Sequence, residues 1–183
     1  MPKVFVPLAQ GCEELEAVTV IDLLRRANIT VVTAGLDDKP VKASRGVVLI
    51  PDTTLDKALT QDFDMVVLPG GMPGAQNLWN DKRILDLLRR MVQGGKFAAA
   101  ICASPQVLAR AGVLDNKRAT SYPGFLDTQE FPKVHYTGSA VERDGNVITS
   151  RGPGTAMDFA LTLIEVLTDR ATRTSVEKSL VRS

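Results

Sequence analysis

The sequence contains few cysteine, histidine and aromatic residues, and this scarcity excludes several classes of protein. Its 183 residues include two cysteines, Cys12 and Cys102, and a single histidine, His135, and only 5% of them are aromatic. Two cysteines cannot build a disulfide scaffold, and these three residues do not have the spacings of a zinc site. We therefore expect no metal, and the sequence contains no motif for another cofactor.

The sequence also lacks an excess of charge and a long hydrophobic run. Lysine and arginine total 22 and aspartate and glutamate 21, which leaves a net charge of +1. Specific binding to nucleic acid or to a membrane is not expected, because both favour a broad positive surface. The longest apolar run covers only residues 97–103, whereas a membrane helix needs about 20 apolar residues. With no signal-peptide pattern at its start, the chain is expected to be cytoplasmic, with reduced thiols.

What the sequence does contain is an alternation of short apolar strands and amphipathic helices. Its 44% apolar and 23% charged residues are typical of a globular protein, and its length predicts one domain over residues 1–183. Strands are predicted at residues 3–8, 29–34, 41–44, 47–50, 64–68, 97–101, 139–143 and 146–150. Helices are predicted at residues 14–27, 84–92, 105–111 and 172–181, and another opens at Thr155. This alternation predicts a three-layer α/β sandwich around a mostly parallel sheet, in which ligands bind at the carboxyl ends of the strands.

Cys102 lies where a predicted strand turns directly into a helix. The turn consists of small residues and a helix-opening proline: Ala100, Ala103, Ser104 and Pro105. This layout is typical of a nucleophile elbow, which holds the central side chain above the sheet in strained backbone. Because a helix N-terminus favours an anion, we expect a Cys102 thiolate with a lowered pKa. The alternative is a cysteine that only packs in the core.

A glycine-rich segment follows another predicted strand. Residues 69–74 read Pro-Gly-Gly-Met-Pro-Gly. Glycines let backbone amides approach and point at an anion, as an oxyanion hole requires. An ordinary turn between a strand and a helix is the alternative, and a P-loop is excluded because its lysine is missing.

Three carboxylates follow the first predicted strand: Glu13, Glu14 and Glu16. All three suit the first turn of a helix, whose dipole favours negative charge, and this alone would explain them. Glu16, however, shares its helix face with apolar residues, which predicts a buried carboxyl with a raised pKa. Glu13 has a similar apolar face, so the pattern does not choose between Glu13 and Glu16.

Cys12 and His135 have weaker claims to a chemical role. Cys12 follows a strand at the same sheet edge as Cys102, so it is either a resolving thiol or, as we favour, a packed side chain. His135 lies in a polar stretch and is expected to be a surface residue of a strand rather than a member of a catalytic triad.

Seven short motifs are spread across nearly the whole chain. They occupy residues 11–16, 24–26, 43–48, 67–71, 74–78, 99–103 and 149–155. Two of them read Ala-Ala-Ile-Cys-Ala (99–103) and Thr-Ser-Arg-Gly-Pro-Gly-Thr (149–155). Each motif is weak alone, but together they resemble the ThiJ/PfpI superfamily and, within it, the parkinsonism-associated, "DJ-one"-like deglycase branch.

This resemblance implies a flavodoxin-like sandwich, related to class I glutamine amidotransferase domains, that forms a homodimer. It implies that Cys102 is the reactive cysteine and that Glu16 is a protonated carboxyl beside the thiol. It also implies that the backbone amides of Gly71 and Ala103 form the oxyanion site. Further polar and edge positions near the pocket and the dimer interface are matched by Glu13, Arg26, Arg45 and Pro153.

The chain departs from the family pattern at two positions. Tyr122 stands where close relatives have a pocket histidine, so an imidazole proton shuttle is absent there. Ala103 stands where the superfamily's peptidase branch has a histidine directly after the cysteine, so no peptidase of the Cys-His type is expected.

Two functions from different classes would use the same residues. The leading hypothesis is a cofactor-free enzyme, a glyoxalase III-type lyase or protein deglycase-type hydrolase, acting on methylglyoxal, glyoxal or their early thiol and amine adducts. Its oxidation-sensitive cysteine would add a role in oxidative stress. The alternative is a redox-sensing holdase chaperone with negligible turnover, because a reactive thiolate oxidises readily to sulfinate. The sequence does not separate the two.

Overall fold

The computed structural model describes residues 1–182, and a seven-stranded sheet forms its centre. Its strands are β1 (Lys3–Leu8), β2 (Thr30–Gly35), β5 (Thr53–Thr54), β6 (Met65–Leu68), β7 (Phe97–Ile101), β10 (Val141–Asp144) and β11 (Val147–Ser150). Their order in the sheet is β10-β11-β7-β6-β1-β2-β5, and only the β10–β11 hairpin is antiparallel. Two small ribbons complete the strands: β3 (Val41–Lys42) with β4 (Val48–Leu49), and β8 (Arg118–Ala119) with β9 (His135–Tyr136).

Helices cover both faces of the central sheet. They are α1 (Glu14–Arg26), α2 (Leu55–Ala58), α3 (Gly74–Asn80), α4 (Lys82–Gln93), α5 (Pro105–Arg110), α6 (Ala156–Leu167) and α7 (Arg170–Ser179). Helices α1, α6 and α7 contribute to one apolar cluster, and α2, α3, α4 and α5 contribute to the other. This arrangement confirms the predicted three-layer α/β sandwich with a mostly parallel sheet.

Strand β1 shows why the sheet has two cores. Val4, Val6 and Leu8 belong to the cluster under α1, whereas Phe5 belongs to the opposite cluster and stacks on Phe63 with ring centroids 5.1 Å apart. Successive side chains of a strand point to opposite faces, so a strand covered by helices on both sides is apolar at every position.

The strand order places a crevice at the carboxyl end of β1. Strand β1 pairs with β2 on one side and with β6 on the other, so the chain leaves β1 and β6 in opposite directions. Ligands of open α/β sheets bind where the strand order reverses in this way. The segments after β1, β6 and β7 therefore converge on one place, and these are the segments that contain the candidate site residues.

Several boundaries differ from those predicted. The predicted strands 41–44 and 47–50 shorten to β3 and β4, because residues 43–47 form a turn whose amides bond to side chains. His135 is exposed in β9, in agreement with its predicted place on a surface strand. Within residues 1–182, no helix is both long and apolar enough to cross a membrane.

Candidate active site

A pocket of about 370 Å³ opens at the carboxyl ends of the strands. It brings together segments that are far apart in the chain, from the start of α1 to the turn before α6. Its lining residues are Glu13, Ser44, Arg45, Gly71, Met72, Cys102, Ala103, Tyr122, Phe125 and Pro153.

Cys102 follows β7 directly and has a left-handed backbone, with φ of +65°. A side chain at this φ is strained, and such strain persists only where surrounding contacts hold the backbone in place. The Cys102 amide donates to the Ser150 carbonyl at 3.0 Å, and the Cys102 carbonyl accepts from the Tyr122 amide at 2.9 Å. The strained turn directs the thiol into the pocket, although only 9% of the residue is exposed.

Glu16 lies beneath the pocket, in the first turn of α1, and is fully buried. Its Oε2 accepts a hydrogen bond of 2.8 Å from the Gly70 amide, and its Oε1 has no hydrogen-bond partner among the described residues. Gly70 has to be glycine, because a Cβ there would lie 2.7 Å from both the Cys102 Cβ and the Glu16 Oε2. The absence of a side chain at Gly70 therefore lets the carboxyl and the cysteine approach each other.

Three groups beside Cys102 act on the pKa of its thiol: the Glu16 carboxyl raises it, and the backbone amides of Gly71 and Ala103 lower it. Gly71 has a φ of +85°, and a side chain there would collide with the backbone of Cys12 and Glu13. The two amides belong to different segments, one after β6 and one after β7. Such a pair can also stabilise an oxyanion that forms next to the sulfur.

The Glu16 carboxyl and the Cys102 thiol are close enough that a negative charge on one disfavours a negative charge on the other. Burial raises the pKa of Glu16 from its ordinary 4.5 to about 7. Burial and the Glu16 charge raise the pKa of the Cys102 thiol to about 12, while the amides of Gly71 and Ala103 act in the opposite direction. The lowered thiol pKa expected from the helix N-terminus is therefore wrong beside a charged Glu16, because burial and then the carboxylate outweigh the two amides; α5 has only six residues. A thiolate at Cys102 requires the proton to sit on Glu16.

One wall of the pocket is polar and is fixed by Glu14. The buried Glu14 carboxylate accepts from the amides of Arg45, at 2.9 Å, and Val47, at 3.4 Å. Burial works against its charge, but these bonds and one from the Ser44 hydroxyl lower the pKa of Glu14. The same hydroxyl donates to Glu13 at 2.9 Å. Among the described residues, the Arg45 guanidinium has no ion-pair partner.

The opposite wall is apolar. Tyr122 and Phe125 meet edge to face with ring centroids 6.4 Å apart, and Met72 and Pro153 complete this wall. Tyr122 is 49% exposed and Met72 is 48% exposed, so both present apolar surface to the pocket. The pocket thus has a reactive floor, one charged wall and one aromatic wall.

The structure brings most of the predicted site residues together. Arg26 is the exception, because it lies at the far end of α1 and pairs with Asp22 at 2.7 Å. Cys12 is 1% exposed and does not line the pocket, and burial followed by the Glu14 charge raises its pKa to about 12. Both cysteines are free thiols.

Three lining residues were not predicted from the sequence: Ser44, Met72 and Phe125. Ser44 lies in the motif at residues 43–48, and Met72 lies in the glycine-rich segment at residues 69–74. The signal that could have identified both is therefore their position next to predicted site residues. Phe125 lies in a long loop with no motif, and no signal in the sequence indicated it.

Other hollows of the described surface lack comparable chemistry. A groove of about 420 Å³ is lined by Trp79, Phe131 and Arg110, whose guanidinium stacks 4.6 Å from the Trp79 ring centroid. It contains neither cysteine nor a buried carboxyl. Within residues 1–182, no group of three or more His, Cys, Asp or Glu side chains is placed to hold a metal ion.

The family model, the related sequences and the related structures that match this chain all come from the same family. The model of the DJ-1/PfpI family matches residues 2–166. Protein dj-1beta of Drosophila melanogaster is 44% identical over 177 residues, which are 96% of this chain and 95% of that protein. The crystal structure of Drosophila melanogaster DJ-1beta superposes with a TM-score of 0.95 at 43% identity, covering 100% of this chain and 98% of that one. The glutathione-independent glyoxalase DJR-1.2 of Caenorhabditis elegans is 35% identical over 158 residues, 86% of this chain and 84% of that protein.

Proposed function

The chain belongs to the DJ-1/PfpI family, and from this premise we propose that it is a cofactor-free enzyme that converts small 2-oxoaldehydes into 2-hydroxy acids. Its substrates would be methylglyoxal, glyoxal or their early adducts with thiols and amines. The observation that carries the proposal is the buried Glu16 carboxyl beside the Cys102 thiol at the floor of the pocket, where both crowd the same side of Gly70. The glyoxalase named among the relatives supports the same chemistry.

The first step forms a bond between sulfur and carbon. Glu16 takes the thiol proton, and the Cys102 thiolate adds to the aldehyde carbon. The electron pair of the carbonyl moves to its oxygen, which the amides of Gly71 and Ala103 stabilise. Glu16 then returns the proton to that oxygen, and the product is a hemithioacetal. For an amine adduct, the thiolate displaces the amine instead: the carbon–nitrogen bond breaks, and the amine leaves with a proton.

The second step is an internal redox reaction. The Glu16 carboxylate takes the hydrogen of the former aldehyde carbon as a proton, and an enediol forms. Return of a proton to the neighbouring carbon reduces the ketone to an alcohol and leaves the sulfur-bearing carbon as a thioester. Water then attacks the thioester, releases the 2-hydroxy acid and restores the thiol. The balance is one 2-oxoaldehyde plus one water giving one hydroxy acid, with no external oxidant.

This scheme uses the pKa of Glu16 directly. A carboxyl with a pKa of about 7 exchanges protons in both directions near neutral pH, as a proton shuttle requires. The protein would act in the cytoplasm as a homodimer. Its partners would be the small dicarbonyls or glycated adducts themselves, rather than nucleic acid or membrane.

Replacement of the two central residues tests the proposal. Steady-state turnover of methylglyoxal, assayed without added metal, should vanish in Cys102→Ser and fall by about 10²–10⁴ in Glu16→Gln. Asp22→Asn is a matched control, since Asp22 lies on the same helix but is half-exposed and far from the pocket. A Glu16→Gln variant within about threefold of wild-type kcat/KM would exclude the proton shuttle.

The redox-sensor alternative is tested with the same variants. Under mild peroxide, Cys102 should gain two oxygens while Cys12 stays reduced, because Cys12 is less exposed and lies outside the pocket. Mass spectrometry of Glu16→Gln should still show sulfinate at Cys102, even though its turnover is lost. Slow turnover that survives in Glu16→Gln, together with sulfinate formation, would favour the sensor over the enzyme.

A further inference from the structure

We infer that Tyr122 is a specificity-determining residue that makes the pocket select 2-oxoaldehydes with an aryl or similarly large apolar substituent, of the phenylglyoxal class. This inference rests on the proposed function, because it names the substrate of the same site. Tyr122 and its neighbours form a wall that neither the proton shuttle nor the oxyanion site uses.

The first support is the size of the pocket. Its volume of about 370 Å³ lies in the range of roughly 300–1,000 Å³ that is usual for sites of drug-sized ligands. A small dicarbonyl such as glyoxal would fill only a fraction of this space. The pocket therefore has room for a substituent on the ketone carbon.

The second support is the way Tyr122 is held. Its backbone amide donates to the Cys102 carbonyl at 2.9 Å, which ties the ring to the residue that forms the covalent bond. One edge of the ring packs on Gly152, where a Cβ would lie 3.4 Å from the Tyr122 Cδ2. Phe125 supports the ring edge to face. The ring is therefore fixed before a ligand arrives, so binding costs little ordering of this wall.

The third support is the chemistry of the exposed surface. Tyr122 remains 49% exposed and faces the pocket beside Met72, Phe125 and Pro153. An aromatic substituent can meet this wall by edge-to-face or offset contact and gains from leaving water. Glu13 and Arg45 lie on the other wall, which an apolar substituent would avoid.

Turnover provides one test. In the wild type, kcat/KM for phenylglyoxal should be roughly tenfold higher than kcat/KM for methylglyoxal, a typical value for one well-packed apolar group. Tyr122→Ala should abolish the preference, whereas Tyr122→Phe should keep it, because the ring and not the hydroxyl makes the contact. Phe131→Ala removes an aromatic ring outside the pocket and should leave the ratio unchanged.

Alkylation of Cys102 tests the same wall without dicarbonyl turnover. 2-Bromoacetophenone and bromoacetone both form a sulfur–carbon bond and release bromide, and they differ in a phenyl against a methyl group. Each alkylation rate of Cys102 is divided by the rate at which the same reagent alkylates a free thiol. After this correction, the wild type should react roughly tenfold faster with the phenyl reagent than with the methyl reagent, and Tyr122→Ala should lose this preference.

The two tests separate the inference from the proposed function. Selective alkylation with no dicarbonyl turnover would support the aromatic wall and overturn the enzymatic proposal. Turnover of methylglyoxal equal to or above that of phenylglyoxal, with alkylation no more selective than that of a free thiol, would overturn the inference alone. A preference that is unchanged in Tyr122→Ala would also overturn it.

Discussion

The side chains of Cys102 and Glu16 share one buried space, so their charges are not independent. Glu16 is fully buried and its Oε2 already accepts from Gly70, which leaves Oε1 as the oxygen that takes a proton. Two adjacent anions in such a space are strongly disfavoured, and the pair therefore loses its protons in two well-separated steps. The first step leaves one negative charge, which either the carboxylate or the thiolate holds.

The raised pKa of Glu16 predicts that the protein becomes less stable as the pH rises. The folded pKa of about 7 exceeds the ordinary 4.5, so between these values the folded protein holds a proton that the unfolded chain has lost. The contribution of Glu16 to stability is full below pH 4.5 and declines as the pH approaches 7. The loss should be about 3 kcal/mol, and Glu16→Gln should not show it. Urea unfolding between pH 4.5 and 8 measures it as the difference between the two proteins.

Asp22→Asn serves as the control for this measurement. Asp22 lies on the same helix, but it is half-exposed and pairs with Arg26 at the surface, so its removal should leave the pH dependence of the wild type intact. If the stability of Glu16→Gln falls with pH as steeply as that of the wild type, Glu16 does not hold the proton.

Individual residues differ in how far the sequence predicts them. The strained turn at Cys102 was predicted from its small neighbours and Pro105, with a packed core cysteine as the alternative, and the φ of +65° agrees with the turn. The choice between Glu13 and Glu16 depends on which helix face meets the sheet; the structure buries Glu16 and leaves Glu13 at the pocket wall. The predicted direction of the Cys102 pKa was wrong beside a charged Glu16, because that pKa depends on the burial of the thiol and on a close carboxylate, and the pattern around Cys102 indicates neither.

Among the secondary-structure elements, the β3–β4 hairpin depends on one side chain of α1. Glu14 accepts hydrogen bonds from the turn between the two strands, at the amides of Arg45 and Val47 and at the Ser44 hydroxyl. The hairpin has only two residues in each strand, so few ladder hydrogen bonds hold it. The Glu14 carboxylate therefore fixes the polar wall of the pocket to the first turn of α1.

Loss of the Glu14 carboxylate should release this hairpin. In Glu14→Ala, the amides of Arg45 and Val47 should exchange with deuterium much faster, and stability should fall by roughly 2 kcal/mol, because donors to a charged acceptor lose their partner. Glu14→Gln keeps one acceptor oxygen and should show an intermediate effect. Amides of the central strand β1 provide the internal reference and should exchange at nearly the same rate in all variants at neutral pH. Unchanged exchange of the Arg45 and Val47 amides in Glu14→Ala would show that the β3–β4 hairpin is stable without the Glu14 carboxylate.

Long periodic elements follow from the sequence, and short ones do not. The predicted strand at 97–101 agrees with β7 residue for residue, and the predicted helix at 84–92 extends by one or two residues on each side to α4. Helix α3 was missed because a glycine-rich segment opens it and masks its short apolar face. The helix predicted to open at Thr155 begins at Ala156 without a side-chain cap, since the Thr155 hydroxyl bonds to Gly152 and Ser150 instead.

The molecule as a whole leaves an apolar surface around α1 uncovered. Leu15 and Val18 on the outer face of α1 are 51% and 46% exposed. Val47, Val48 and Met157 are also about half-exposed. Met157 lies in α6, which packs against α1, and the Val47 amide donates to Glu14 in α1. A helix that is apolar on its outer face as well as toward the core needs a second partner surface. The homodimer that the sequence predicts would cover it.

A two-fold contact through this surface can be broken by one charge. The wild type at micromolar concentration should scatter light as a species of twice the 19.8 kDa chain mass, and Val18→Asp should scatter as a single chain. In a symmetric dimer each substitution occurs twice, so the change both removes apolar contact and buries two unpaired carboxylates. Ala140→Asp adds the same charge at an exposed position before β10, at the edge of the sheet, and should remain dimeric. A wild-type species of 19.8 kDa, or a Val18→Asp variant that stays dimeric, would place the contact elsewhere or exclude it.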